Sequence, residues 1–172
     1  MISAVVLAAG AARRFGSPKQ LRLLPYVLER LEGLPLVEIV VVSGAYAIEE
    51  SERLSLRGAR VVSCPGWALG PGASLRCGLA ALSAEVEAAL VVLADGPYID
   101  PRAVTRVLAH AHEADIVAAS YAGARGHPAL FARSAWNDIP DDGGRNLPAS
   151  LIPCDDLTSP GDIDTPELAR GL

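Results

Sequence analysis

The sequence predicts an α/β fold: a doubly wound, mostly parallel sheet with helices on both faces. Near-continuous apolar runs such as Ile2–Ala8 point to strands covered on both sides, as parallel strands are. Stretches with helical spacing fall between those runs, and this alternation of β and α is the pattern of a doubly wound sheet. Aromatic residues make up only 5% of the chain, which suits helices on a valine-rich sheet better than a β-sandwich. With 172 residues, 51% of them hydrophobic, residues 1–172 read as one domain with an adequate core. No internal repeat, low-complexity tract or linker divides it.

Strands are expected at Ile2–Ala8, Glu38–Ser43, Ala59–Ser63, Ala88–Ala94 and Asp115–Ser120. Pro18–Leu31 has helical spacing at Leu21, Leu24, Leu28 and Leu31, with Pro25 a kink or break. Ala47–Leu56 is a second helix. Ser74–Leu82 is a third, opening on a capping-type serine and repeating Leu75, Leu79 and Leu82. Asp100-Pro101 starts a fourth, as N-cap followed by proline at the first helical position. Farther on, Gly126–Phe131 and Leu151–Cys154 read as short strands and Asp141–Gly144 as a loop. Asp164-Thr165-Pro166-Glu167 reads as a last helix start.

The net charge of −5 gives no footprint for nucleic-acid binding. A local patch of Arg13, Arg14, Lys19 and Arg22 still suits a small anion. No apolar run approaches the ~20 residues of a membrane helix. The first residues read as a strand, without the basic start of a secretion signal. Three cysteines (Cys64, Cys77, Cys154), an odd number without a CxxC pair, point to a reduced, cytoplasmic setting.

In an open α/β sheet ligands sit beyond the carboxyl ends of the strands. Ala8–Lys19 leaves the first strand there, reading AAGAARRFGSPK. Small residues let a backbone approach a ligand, and N–H groups with a helix N-terminus hold phosphate oxygens. Neither GxGxxG nor a Walker A loop is present, since Gly10 and Gly16 are six apart and no glycine directly precedes Lys19. An ordinary strand-to-helix turn with solvated arginines is the competing reading. Lys19 is the only lysine among 15 basic residues. A compact ammonium on a flexible stem suits charge that migrates between phosphate oxygens.

LAAGAARRFGSPK resembles the LAAGxSxRxGxxK signature of MobA-like nucleotidyltransferases, in particular the molybdenum cofactor cytidylyltransferase branch. The resemblance implies that Leu7, Ala8, Ala9 and Gly10 meet the nucleotide and that Arg14 and Lys19 neutralise its phosphates as catalytic groups. Ala12 stands where relatives carry serine, removing a hydroxyl contact, and Phe15 where they carry methionine.

Four further stretches follow in the family's order. PGWALGPGASLRCG (65–78) is similar to NPxWxxGxxxSLxxG, implying nucleotide contacts at Gly70 and Ser74 and an acceptor contact at Arg76. Read alone, it is a surface loop anchored by Trp67. LVVLADGPYIDP (90–101) resembles LLxDQP, whose aspartate binds metal, here Asp95, with Gly96 replacing the usual glutamine. A turn-forming aspartate is the plain alternative. Gly126-His127-Pro128 and Asp141-Asp142-Gly143-Gly144-Arg145 resemble the GHP and GDxGAR elements, implying acceptor contacts at His127, Asp141 and Arg145. GDIDTPEL (161–168) matches DIDTPEDL, implying a second metal ligand at Asp164, which also suits a helix cap. The chain looks short of the family pattern between Leu24 and Glu29 and between Trp136 and Asp141, as deletions or as loops missing from it.

The implied activity is Mg²⁺-dependent transfer of CMP from CTP to a phosphorylated acceptor such as the molybdopterin cofactor, with pyrophosphate released. A molybdoenzyme would receive the product. Relatives also guanylylate molybdopterin or 2-phospholactate. A nicotine-blue-type NAD(P)H oxidoreductase and a non-catalytic cofactor chaperone are the alternatives from other classes.

Overall fold

The computed structural model describes residues 1–11, 19–48 and 56–161, and of residues 19–21 the backbone. The first apolar run forms β1 (Ile2–Ala8), followed by helix α1 (Lys19–Leu31), β2 (Ile39–Ser43) and β3 (Arg60–Ser63). Next come α2 (Pro71–Ala80), β4 (Ala88–Leu93), α3 (Pro101–Ala109), β5 (Ile116–Tyr121), β6 (Ala124–Ala132) and β7 (Ser150–Pro153). Among the described residues the strands make one sheet in the order β3-β2-β1-β4-β6-β5-β7. All pairings are parallel except the two that β6 makes.

Alternation along each strand separates two cores. Val6, Leu90 and Val92 face one side, under Leu24, Val27 and Leu28 of α1 and Val104 and Val107 of α3. Val5, Val40, Val42 and Val91 face the other, under Leu75 and Leu79 of α2. Helices therefore lie on both faces, as the continuous apolar runs require.

Pro25 does not end α1. An internal proline costs about 3 kcal/mol. Leu23, Leu24, Val27 and Leu28 are fully buried, each contributing roughly 1.5–3 kcal/mol, so burial outweighs the lost bond. The same unbroken helix crosses residues 24–29, and a 3-10 turn over Arg133–Asp138 leads directly to Ile139.

α2 begins a turn earlier than its sequence suggested. Pro71 occupies the first turn, Gly70 flanks it without a side-chain cap, and Ser74 is buried inside the helix instead of capping it. At α3 the expected cap is present: the Asp100 carboxylate accepts from the Arg102 N–H at 2.8 Å. Of the expected Ala47–Leu56 helix, Ala47, Ile48 and Leu56 have no regular structure and the rest lies outside the described residues, as does the start at Asp164.

The antiparallel strand comes from a tight hairpin. Ala122 (φ 50°) and Gly123 (φ 77°) both adopt positive φ, the geometry of two-residue turns whose twist matches paired strands. The Ala122 N–H is held by the Asp155 carboxylate. No helix among the described residues is long and apolar enough to cross a membrane.

Candidate active site

β1 and β4 are neighbours, while the chain after β1 winds outward to β2 and β3 on the other side. That reversal makes a crevice at the strands' carboxyl ends, where open α/β sheets bind ligands. Leu7 pairs with Leu93, and the Ala94 N–H donates to the Leu7 carbonyl at 3.0 Å. Ala8–Gly10 and Asp95 therefore leave the sheet side by side.

The turn after β1 is pinned from β2. The Ala45 N–H donates to the Ala9 carbonyl at 3.0 Å, and the Tyr46 hydroxyl donates to the Ala11 carbonyl at 2.9 Å. Two carbonyls that would repel a phosphate are thus engaged. Gly44 permits this close approach: a Cβ there would lie 2.7 Å from both the Ala9 oxygen and Trp67. Trp67 packs on the α2-side core, so it is the anchor expected of it.

Asp95 is half-buried beside this turn. Gly96, where relatives carry glutamine, lies under the Pro160–Gly161 turn. A Cβ on it would be 3.2 Å from the Gly161 oxygen and 3.4 Å from Pro160. A side chain there would crowd the Gly161 carbonyl and the Pro160 ring. Asp164 and Arg14 lie outside the described residues, and Lys19 is described only as the first residue of α1. Among the described residues no group of three His, Cys, Asp or Glu side chains forms a metal cage.

The start of α2 is bolted to the loop before β7. The Gly72 N–H donates to the Asp141 carbonyl at 2.9 Å, and Arg76 donates to the Ile139 carbonyl at 2.6 Å. The Arg76 guanidinium also pairs with the Asp141 carboxylate. A Cβ at Gly70 would lie 2.2 Å from the Asp141 oxygen, and one at Gly72 1.7 Å from the Pro140 oxygen. Arg76 and Asp141, both expected at the acceptor, are thus bonded to each other and fasten this loop. Gly70 serves the same junction, and Ser74 is only 4% exposed.

His127 and Arg145 are brought together, with Arg125, at the rim of a cleft of about 480 Å³. Its floor is apolar: Leu7, Leu75, Val91, Leu93, Ala129 and Phe131. A smaller cleft of about 210 Å³ shares Leu93, Arg125, His127 and Arg145 and reaches Gly96 and Gly161. The His127 ring donates from Nδ1 to the Val91 carbonyl at 3.3 Å, since a carbonyl can only accept. Burial is the main cause that holds its pKa down; Arg125 and Arg145 add to this, while the Val91 bond and Asp95 oppose it. The Tyr121 hydroxyl, held at 3.1 Å by the His127 carbonyl, is pushed up to about 12 by burial.

Arg125 is the residue that sequence reasoning missed. It donates to the Leu147 carbonyl at 2.7 Å and the Arg145 carbonyl at 3.1 Å, and burial lowers its pKa. Its one sequence signal is its place directly before Gly126-His127-Pro128.

The cysteines correct the expectation of reduced thiols. Cys64 and Cys77 form a disulfide across a Cα–Cα distance of 5.8 Å, tying the end of β3 to α2, and Cys154 is a buried free thiol. Thirteen residues apart in sequence, they meet only because α2 folds back on the strand it follows.

A glycine turn and a carboxylate emerging together at the reversal of a doubly wound sheet, beside an apolar cleft with a cationic rim, define a nucleotide-handling α/β enzyme. Within that class the chain belongs to the MobA-like NTP transferase domain family, whose pattern matches residues 4–151, and it is a nucleotidyltransferase. No curated protein matches it in sequence. Its fold is similar to the crystal structure of Rv0371c from Mycobacterium tuberculosis H37Rv, with TM-score 0.84 and 28% identity over 98% of this chain and 95% of that one. Rv0371c in complex with manganese gives TM-score 0.80 and 25% identity over 98% and 96% of the two chains. A nucleotidyl transferase from Methanothermobacter thermautotroptrophicus, Mth528, gives TM-score 0.69 and 25% identity over 85% and 79%.

Proposed function

We propose that residues 1–172 form one nucleotidyltransferase domain that joins CMP from CTP to a phosphorylated small molecule such as the molybdopterin cofactor. The observation that carries this reading is the pairing of Leu7 with Leu93, which sets Ala8–Gly10 against Asp95 at the sheet's reversal. The LAAG form of the turn, as in the cytidylyltransferase branch, supports CTP. The reaction needs no strong base, because the attacking phosphate is already an anion. One of its oxygens bonds to the α-phosphorus, the α–β bridging P–O bond breaks, and pyrophosphate leaves with the electron pair. Positioning and charge stabilisation then supply most of the catalysis.

The donor chemistry fits a hard divalent ion. Asp95 offers carboxylate oxygens at the strand end, the ligand type that Mg²⁺ takes. Asp164, outside the described residues, is three residues after Gly161, whose carbonyl lies against Gly96, and three residues reach at most about 11 Å. That Rv0371c has been obtained as a complex with manganese supports a divalent ion. When bound, Mg²⁺ supplies Lewis acidity and counter-charge to the phosphate oxygens. Lys19 and Arg14 stabilise the charge that builds on the leaving pyrophosphate, and the Ala8–Gly10 backbone orients base and ribose. His127 and Arg145 line the acceptor's cleft. A cytoplasmic molybdoenzyme is the proposed recipient of the product.

A thermal-shift panel of CTP, GTP, ATP and NADPH, each with and without Mg²⁺, tests the reading through simple linkage. Stabilisation by CTP that requires Mg²⁺ is expected. Stabilisation by NADPH alone would replace this reading with the oxidoreductase one.

A further inference from the structure

We propose that Arg125, together with Arg145, is the anion-contacting group of the acceptor cleft, while His127 is a neutral hydrogen-bond acceptor that reads an N–H or O–H on the same ligand. The inference rests on the transferase reading only for calling the ligand the acceptor.

The geometry assigns the roles. β6 is antiparallel to β4, with Val91 opposite Ala129, so its amino end reaches the edge where β4's carboxyl end stops. There the His127 ring meets the Val91 carbonyl, and Arg125 and His127 line both clefts together with Leu93. One Arg125 nitrogen holds the Arg145 and Leu147 carbonyls. Its other N–H groups have no partner among the described residues and are not sealed from solvent. Arg125 lines the wall that the two clefts share. The Arg145 side chain is exposed on the same rim and makes no hydrogen bond among the described residues. Two planar forks converging on one rim suit a phosphate or carboxylate.

His127 cannot do that work. Its Nδ1 proton is committed to the Val91 carbonyl, so the neutral ring presents only a lone pair at Nε2, which is not sealed either. Arg125 and Arg145 face the ring and disfavour a third positive charge, and Asp95 is too weak a counterweight to burial. The cleft therefore selects a ligand with an apolar body over Leu75 and Phe131, an anionic group at the arginines and a hydrogen-bond donor at the histidine.

The test fills the nucleotide subsite of the full chain with a nonhydrolysable CTP analogue and Mg²⁺, then titrates inorganic phosphate calorimetrically. Arg125→Gln and Arg145→Gln should each weaken phosphate binding about tenfold or more, as expected for charge-assisted bonds, and leave analogue affinity within about twofold. His127→Gln should weaken phosphate binding less than either arginine substitution, and a larger loss there would overturn the division of roles. The Arg145 side chain makes no hydrogen bond among the described residues, so undiminished phosphate binding in Arg145→Gln overturns the proposal even if Arg125→Gln fails to fold. Nitrogen-15 NMR should find His127 protonated on Nδ1 alone at neutral pH; a proton on Nε2 overturns its assigned role. If the analogue does not bind, the CTP reading fails, and the phosphate titration without it still decides this one.

Discussion

The two halves of the sheet build their parts of the site in different ways. From β3 through β4 all strands are parallel, and what matters stands just past a strand's carboxyl end. Ala8–Gly10 follow β1, Gly44 follows β2 and Asp95 follows β4, each a local strand-then-turn pattern. Beyond β4 the order turns to β6-β5-β7, and the functional edge is reached by the amino end of an antiparallel strand. Arg125 and His127 stand at a strand's start, and their wall is closed by a loop bolted to α2 from 60 or so residues earlier. A site edge is a place in space, and strand direction decides which end of a sequence segment occupies it.

This contrast can be broken or sharpened, beginning with the largest expected effect. Asp95→Asn should abolish metal-dependent turnover while far-UV circular dichroism stays unchanged; activity that still titrates with Mg²⁺ would remove Asp95 from the metal. Lys19→Ala should lower the rate of pyrophosphate release by about 10²–10³, the cost of losing a preorganised donor. Wild-type rates would leave the glycine turn without its proposed charge. On the other half, Gly72→Ala sets a methyl 1.7 Å from the Pro140 oxygen, and overpacking against backbone costs roughly 1–3 kcal/mol. The melting temperature should drop and acceptor KM rise, with CTP affinity retained if the halves bind separately.

Smaller effects test local supports. Asp100→Ala removes the α3 cap and should cost ~1 kcal/mol in urea unfolding. In pH scans, His127 held neutral contributes stability that is present above its ordinary value of 6.5 and is lost as pH falls, because the unfolded chain takes up the proton first. His127→Gln should flatten the decline in melting temperature from about pH 7 to 5. Asp156, lowered to about 2 chiefly by its bond to Arg106, adds a weaker, salt-screened loss as pH falls from 3.8 toward that value. Asp156→Asn should remove that arm alone.

Much of the fold was legible because it is written in local patterns. Apolar runs located the strands within a residue or two, and Asp100-Pro101 marked a helix start that the structure bears out. Ser74 misled, because a capping residue type does not say whether the turn before it is already helical, and Pro71 makes it so. Arg76 and Asp141 were legible as members of one site, but not as partners of each other, since their bond joins residues 65 apart. Arg125 had only its place before Gly126-His127-Pro128 to mark it, and the Cys64–Cys77 link had no local pattern that differs from ordinary thiols.

By itself the sequence determined the α/β class, the alternation of elements, the family and the acidic and glycine turns at strand ends. These follow from side-chain periodicity and from residues whose backbone preferences act within a few positions. Only the tertiary structure decided which motifs face one another, that Arg125 reaches the rim, and that His127 spends its proton on Val91. Those facts depend on the direction of β6, reversed by a positive-φ pair at Ala122-Gly123, and on its register against β4.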